Sequence, residues 1–182
     1  EPAADIESFL GLFCYHQGQF DDPGAYERLA ERLSGIEREW GVCPNVLFFL
    51  AVPPDMVPTI LERLAAGGLT QRCSDAEGWT RVLLEKPFGS DGATSRELQS
   101  LVSGLLAEEQ VYRIDHYLAK ELLQGIMDFR FANNLFESEW RREAIERIDI
   151  TLIESVGVEN RSAFYDRVGA LRDVGQNHLL EM

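Results

Sequence analysis

A continuous apolar run, Val46-Leu47-Phe48-Phe49-Leu50-Ala51-Val52, stops at Pro53-Pro54. Unbroken apolar character without polar alternation is the pattern of a strand covered on both faces. Proline ends such a strand because it has no N–H for the ladder. A strand of this kind belongs in a parallel sheet sheltered by helices, and its flanks supply them. Upstream, Pro23 is followed by Tyr26, Leu29, Ala30, Leu33, Ile36 and Trp40 at intervals of three and four, an amphipathic helix closed near Gly41. Downstream, Met56, Val57, Ile60, Leu61, Leu64 and Ala65 mark the apolar side of a second helix, with Gly67-Gly68 after its end.

The alternation continues. Trp79-Thr80-Arg81-Val82-Leu83-Leu84 reads as a strand, and Asp91 stands where it can cap a helix whose buried stripe is Leu98, Leu101, Val102, Leu105 and Leu106. Val111 to Ile114 supplies one more short strand. Strand, helix, strand, helix, strand implies a parallel α/β sheet with right-handed crossovers. After Asp115 the texture changes to a helical stretch from Tyr117 to Phe131. A strand then alternates Ile148, Ile150 and Leu152 with Asp149, Thr151 and Ile153. The expected division is residues 1–113 and 114–182.

No G-x-G-x-x-G or P-loop pattern occurs in the 182 residues, so a dinucleotide-binding sheet would have its phosphate turn upstream of Glu1. The chain begins without Met, and the helical spacing of Leu171, Val174, His178 and Met182 runs to the last residue. A segment of a longer protein is expected.

Charge limits the partners. Seventeen basic against 31 acidic residues give a net charge of −14, which argues against nucleic acid. A few local cations can still reverse the field inside one cleft. The longest apolar run is far short of the ~20 residues of a membrane helix. Cys14, Cys43 and Cys73 show neither CxxC spacing nor an even count, so reduced thiols and a cytoplasmic location are expected, with no metal site.

Three cationic positions stand out. If Asp115 opens a helix, His116 and Lys120 lie one above the other on one face, a pair that favours an anion between them. The helix N-terminus adds N–H groups suited to phosphate, and Tyr117 adds a hydroxyl. The plainer alternative is Asp115 as an N-cap with solvated His and Lys behind it. Lys86 stands just past the carboxyl end of a strand, where ligands bind in open α/β sheets, and Pro87 stiffens the turn and is a candidate for a cis bond. His178 lies on the apolar stripe of the last helix. Asp173, five residues earlier, is about 140° away around an α-helix, so a carboxylate orienting His178 must come from elsewhere. Asp115 is the candidate.

Phe49 to Pro54 (FLAVPP), Glu85 to Gly89 (EKPFG), Tyr112 to Glu121 (YRIDHYLAKE), Arg130 to Asn133 (RFAN) and Arg172 to Leu180 (RDVGQNHLL) together resemble the glucose-6-phosphate 1-dehydrogenase family. The resemblance runs from about Gly18 to the end of the chain. It implies the C-terminal part of a Rossmann-like parallel-sheet domain, then the start of an α+β substrate domain with an antiparallel sheet. The implied activity is oxidation of D-glucose 6-phosphate to 6-phospho-D-glucono-1,5-lactone with hydride transfer to NADP, NAD not being excluded, as the first step of the pentose phosphate pathway.

By position, the resemblance makes His178 the general base and Asp115 the carboxylate that orients it. It assigns His116, Tyr117 and Lys120 to the 6-phosphate, and Glu154 and Asp173 to sugar hydroxyls. Lys86 falls between sugar and nicotinamide, with Pro87 on the cofactor side. A homo-oligomer is implied for the complete protein, formed through a sheet beyond Met182. Ala119, Gly175, Ser162 and Phe20 depart from the family's usual Gly, larger apolar residue, Gly and Tyr. The alternatives are another sugar oxidoreductase, such as the hexose-6-phosphate dehydrogenase to which the Asn160-Arg161-Ser162 sequon points, or a segment that folds or binds without turnover. Taken alone, the chain is expected to have little or no activity.

Overall fold

Val46–Leu50 (β1), Thr80–Glu85 (β2) and Val111–Ile114 (β3) form one three-stranded parallel sheet, in that order, in a computed structural model. The structure describes residues 2–71, 78–133, 135, 138–153, 155, 157–159 and 162–181. Helices precede and separate the strands: α1 (Pro2–Leu10), α2 (Pro23–Trp40), α3 (Val57–Ala66) and α4 (Gly92–Leu105). After the sheet come α5 (Glu121–Phe131), α6 (Ser162–Ala170) and a π-helix, Leu171–Leu179.

Local chemistry sets the boundaries. Asp22 is extended and accepts the Gly24 N–H at 3.0 Å, with Pro23 at the first position of α2, where a missing N–H costs nothing. Gly41 closes the same helix with φ +65°, a left-handed conformation that glycine adopts without a Cβ penalty. Asp91 caps α4 by accepting from the amides of Ala93 and Thr94 at 3.0 and 2.9 Å.

The chain forms two units. The first comprises residues 1–48, 55–82 and 100–111. Its core is the stripe Val57, Ile60, Leu61 and Leu64 of α3 together with Ala25, Tyr26, Leu69, Val82, Val102, Leu106 and Val111. The Gln110 side-chain amide donates to the carbonyls of Thr70 and Thr80, satisfying two backbone acceptors with one residue. The second unit comprises residues 49–54, 83–99 and 112–182. Its buried, described residues are Leu50, Leu84, Tyr117 and His178, and the Asp115 side chain is buried as well.

Four expectations require correction. β1 is not covered on both faces: Leu47 is 49% and Phe49 53% exposed. The run shows which residues can be buried, but β1 is an edge strand and its outer residues find no cover among the described residues. Residues 145–153 form no strand, and Ile148 and Ile153 are exposed. A period of two selects a face but supplies no partner strand, so an antiparallel sheet is absent among the described residues. The helix expected from Tyr117 begins only at Glu121. Cys43 is disulfide-bonded rather than reduced, while Cys14 is free. An odd cysteine count does not prevent a disulfide from forming, so thiol usage no longer argues for a compartment. Among the described residues no helix is long and apolar enough to cross a membrane.

Leu61 is fully buried, so Leu61→Ala leaves a cavity as well as losing transfer energy. It should lower the unfolding free energy by about 2–5 kcal/mol. Leu122→Ala, at a site 77% exposed, should stay within about 0.5 kcal/mol. Urea unfolding of both variants checks the pair.

Candidate active site

The turn after β2 places a cation among acceptors. The Lys86–Pro87 peptide bond is cis, and Gly89 has φ +88°, where a Cβ would lie 2.6 Å from the Ser95 amide nitrogen. Only glycine fits that position, and the turn carries Lys86 inward until its side chain is 13% exposed. Its ammonium donates to Asp115 Oδ2 at 2.9 Å and to the Asn177 carbonyl at 2.8 Å, and it pairs with Glu181. An ammonium has three N–H groups, and each has an acceptor.

Asp115 follows β3 directly. Its side chain is 6% exposed, and its oxygens divide the work. Oδ2 faces Lys86. Oδ1 accepts the Tyr117 N–H at 2.9 Å and lies 3.1 Å from His178 Nδ1. Burial alone raises a carboxyl's pKa. Here the carboxyl contact with Glu181, the Lys86 hydrogen bond and charge, and the Tyr117 amide outweigh burial and hold Asp115 well below the usual carboxylate range. Burial likewise opposes the Lys86 charge, but its bonds to Glu181 and Asp115 prevail and raise the ammonium's pKa. The pair is therefore ionised. With Nδ1–H donating to this carboxylate, His178 keeps its lone pair on Nε2, which is the arrangement of an oriented general base.

Aromatic contacts fix the imidazole. Tyr117 stacks on His178 with ring centroids 4.1 Å apart, and His116 meets His178 edge-on at 5.1 Å. The Lys120 ammonium lies 3.8 Å from the Tyr117 ring centroid, a cation–π contact. His116 and Lys120 thus gather around Tyr117 rather than on one helix face. The stacked-pair expectation fails because Asp115 opens no helix: its carboxylate accepts the Tyr117 amide as a cap would, but residues 116–119 form only a turn, and Lys120 becomes the N-cap of α5. The positive helix end lies at Lys120, five residues later than expected.

A cavity of about 380 Å³ opens at the carboxyl end of β2, within the range of small-molecule sites. Glu85, Lys86, Ile114, His116, Asp173 and His178 are among its walls, as is Pro87. Asp173 reaches the same cavity as His178 although the two are five residues apart. The π-helix supplies the reason: its bonds span five residues, as Leu180 N–H to Gly175 O at 3.0 Å shows, so residues i and i+5 come closer to one face than in an α-helix. Glu154 lies outside the described residues, as does Asn160.

Asp115, His116 and His178 present ligand atoms within 4.8 Å of one another, a spacing that a metal could use. The Lys86 ammonium already neutralises Asp115 at 2.9 Å, and a divalent cation would have to share that carboxylate with a fixed positive charge. The donor set suits proton transfer better than metal ligation.

The family model described as "Glucose-6-phosphate dehydrogenase, NAD binding domain" matches residues 1–125, and that of the C-terminal domain matches residues 127–182. The chain belongs to the glucose-6-phosphate dehydrogenase family. It is 44% identical over 170 residues to "Glucose-6-phosphate 1-dehydrogenase 2" of Mycobacterium tuberculosis, covering 93% of this chain and 33% of that protein. It is 40% identical over 177 residues to the Bacillus subtilis glucose-6-phosphate 1-dehydrogenase, covering 97% and 35%. A solved "Glucose-6-phosphate dehydrogenase in complex with its substrate glucose-6-phosphate" superposes with a TM-score of 0.87 at 34% identity, over all of this chain and 37% of that one. The enzyme from Mycobacterium avium gives 0.78 at 38%, over 98% and 36%. The chain thus spans about a third of the length of these relatives. Sequence reading missed Asn177 and Glu181 as partners of Lys86. Glu181 follows His178 by three residues, a spacing that could have drawn attention to it, whereas a carbonyl acceptor leaves no mark in a sequence.

Asp115→Asn tests the ion pair through pH. A depressed carboxyl contributes stability that is present above the unfolded value of ~3.9 and is lost as pH falls toward its folded value. The wild-type chain should therefore be the more stable at pH 7, and the urea midpoints of the two should converge between about pH 5 and pH 2. Parallel curves would mean that Asp115 is not charged in the fold.

Proposed function

We propose that the chain serves, within the complete protein, the oxidation of D-glucose 6-phosphate to 6-phospho-D-glucono-1,5-lactone with hydride transfer to NADP. The observation that carries this is the Lys86–Asp115–His178 relay on a cavity of about 380 Å³ at the carboxyl end of a parallel strand. Family membership and the likeness to a structure that holds glucose 6-phosphate support it.

His178 Nε2 would take the proton of the C1 hydroxyl while the C1–H bond breaks. The Asp115 carboxylate, 3.1 Å from Nδ1, stabilises the imidazolium that forms, and the stacked Tyr117 ring holds the imidazole in plane. Loss of the hydroxyl proton and of the C1 hydride together leave the C1=O of the lactone. When bound, the nicotinamide accepts that hydride. Lys86, at the strand end and on the cavity wall, is assigned to both sugar and nicotinamide, and Pro87 beside it to the nicotinamide side. The remainder of a dinucleotide needs a phosphate turn, a pattern these 182 residues do not contain. His116, Lys120 and the Tyr117 hydroxyl are assigned to the 6-phosphate, with the N-terminus of α5 at Lys120 adding its partial charge. Asp173, from the cavity wall, takes a sugar hydroxyl, and Glu154 is assigned another.

The division at 113/114, just before β3 ends, rests on the change of sequence texture after Asp115, whereas the choice of NADP over NAD, a cytoplasmic location and a homo-oligomer of the complete protein rest on the family resemblance. So does the role of the second part as an α+β substrate domain.

In the complete protein, His178→Asn should abolish most nicotinamide reduction, by about 10²–10⁴ in kcat, with sugar-phosphate affinity largely kept. Absorbance of the reduced cofactor reads this, and unchanged turnover would reject the assignment. Lys120→Ala should raise KM for glucose 6-phosphate while leaving unphosphorylated glucose unaffected. An equal loss for both sugars would remove Lys120 from the phosphate site.

A further inference from the structure

The three acceptors of Lys86 leave it no N–H for a ligand, although the proposed function needs it to meet the sugar. One acceptor has to yield. Asp115 cannot do so at low cost, because its side chain is 6% exposed and losing the ammonium would strand a buried charge. The Asn177 carbonyl belongs to the π-helix that carries His178, so releasing it disturbs the base itself. Glu181 differs from both. Its side chain is 43% exposed, so water can take over its carboxylate once the ammonium leaves.

Position agrees with this. Lys86 lines two cavities: the one it shares with His116 and His178, and a second of about 480 Å³. Glu181 lines only the second, together with Arg172. From that cavity its carboxyl meets both the ammonium and Asp115, and Arg172 offers a guanidinium there to which the released carboxylate retreats.

Resting on the sugar-phosphate reading above, we propose that Glu181 is a positioning residue that competes with the sugar for Lys86. It occupies the third N–H when the site holds no sugar and surrenders it to a sugar hydroxyl on binding. The Lys86–Asp115 and Lys86–Asn177 bonds persist throughout. Glu181 thus weakens sugar binding by the strength of a partly exposed ion pair, and its carboxylate touches neither the sugar nor the general base.

The test uses the complete protein with Glu181→Gln and Glu181→Ala, measuring steady-state kinetics and, separately, calorimetric binding of glucose 6-phosphate without cofactor. Both variants should lower KM and Kd for glucose 6-phosphate, by about two- to fivefold for Ala and by less for Gln, whose amide oxygen still accepts from Lys86. The effect should fall on KM rather than on kcat. Unchanged or raised KM and Kd in either folded variant would overturn the proposal, as would a fall in kcat at constant KM. A wild-type protein that binds glucose 6-phosphate without reducing NADP or NAD would refute the proposed function alone, leaving Kd to judge Glu181. One that does neither would refute both.

Discussion

One ammonium group holds the second unit's chemistry together. Lys86 Nζ joins the end of β2 to the carboxylate that follows β3 and to a carbonyl of the π-helix, so three separate pieces of chain converge on one atom. The unit has few other buried side chains among its described residues: Leu50 and Leu84 are aliphatic, and the rest are Tyr117 and His178, themselves part of the site. Polar contacts here take a role that apolar burial plays elsewhere. A buried ion pair of this kind is weak evidence for net stability, since desolvation offsets most of its Coulomb energy. What it does secure is geometry. Removing the lysine would leave Asp115 charged, buried and unpaired, and Asp115 is what orients His178.

The α/β half of the fold was legible because its signals are local. Asp22 and Gly41 bracket α2, Asp91 caps α4, and the apolar stripe Val57, Ile60, Leu61 and Leu64 recurs at helical spacing and is buried as that spacing requires. What local signals do not carry is the partner. The alternation from Ile148 to Ile153 describes a face, yet a strand exists only when a second strand pairs with it, and none does among the described residues. The exposed Leu47 and Phe49 of β1 make the same point at the sheet edge.

In the site, residue spacing reached the Asp115–His178 contact only by exclusion, Asp173 facing the wrong way on an α-helix so that another carboxylate was needed, while the family resemblance named Asp115 directly. The structure brings Asp115 to 3.1 Å of the ring, and also brings Asp173 onto the same cavity, because the last helix is wider than the α-helix on which the exclusion relied. The stacked His116–Lys120 pair was misread for a related reason. Asp115 has the residue type of an N-cap and makes the bond of one to the Tyr117 amide, yet residues 116–119 only turn and no helix follows until Glu121, while its other contacts go to Lys86 and His178. Residue type shows what a group is able to do, and competition among partners decides which of those options it takes.

If the proposed function holds, the net charge of −14 bears on how such a site meets an anionic sugar phosphate. Long-range attraction is not available to this chain, since its summed field repels an anion. At physiological ionic strength that field fades over about 8 Å, so the repulsion acts on approach more than on the bound state. Recognition then depends on cations close enough to act inside that distance. His116 and Lys120 are both exposed and both packed on the Tyr117 ring, which suits them to the task. Lys86 is of the other kind: buried, saturated and surrounded by carboxyl groups, it contributes order rather than attraction until an acceptor lets go. The cationic cluster is thus two exposed charges that can draw a phosphate and one enclosed charge that aligns the proton relay. Under the proposed function, their separation would let the site bind an anion without neutralising the carboxylate on which its imidazole depends.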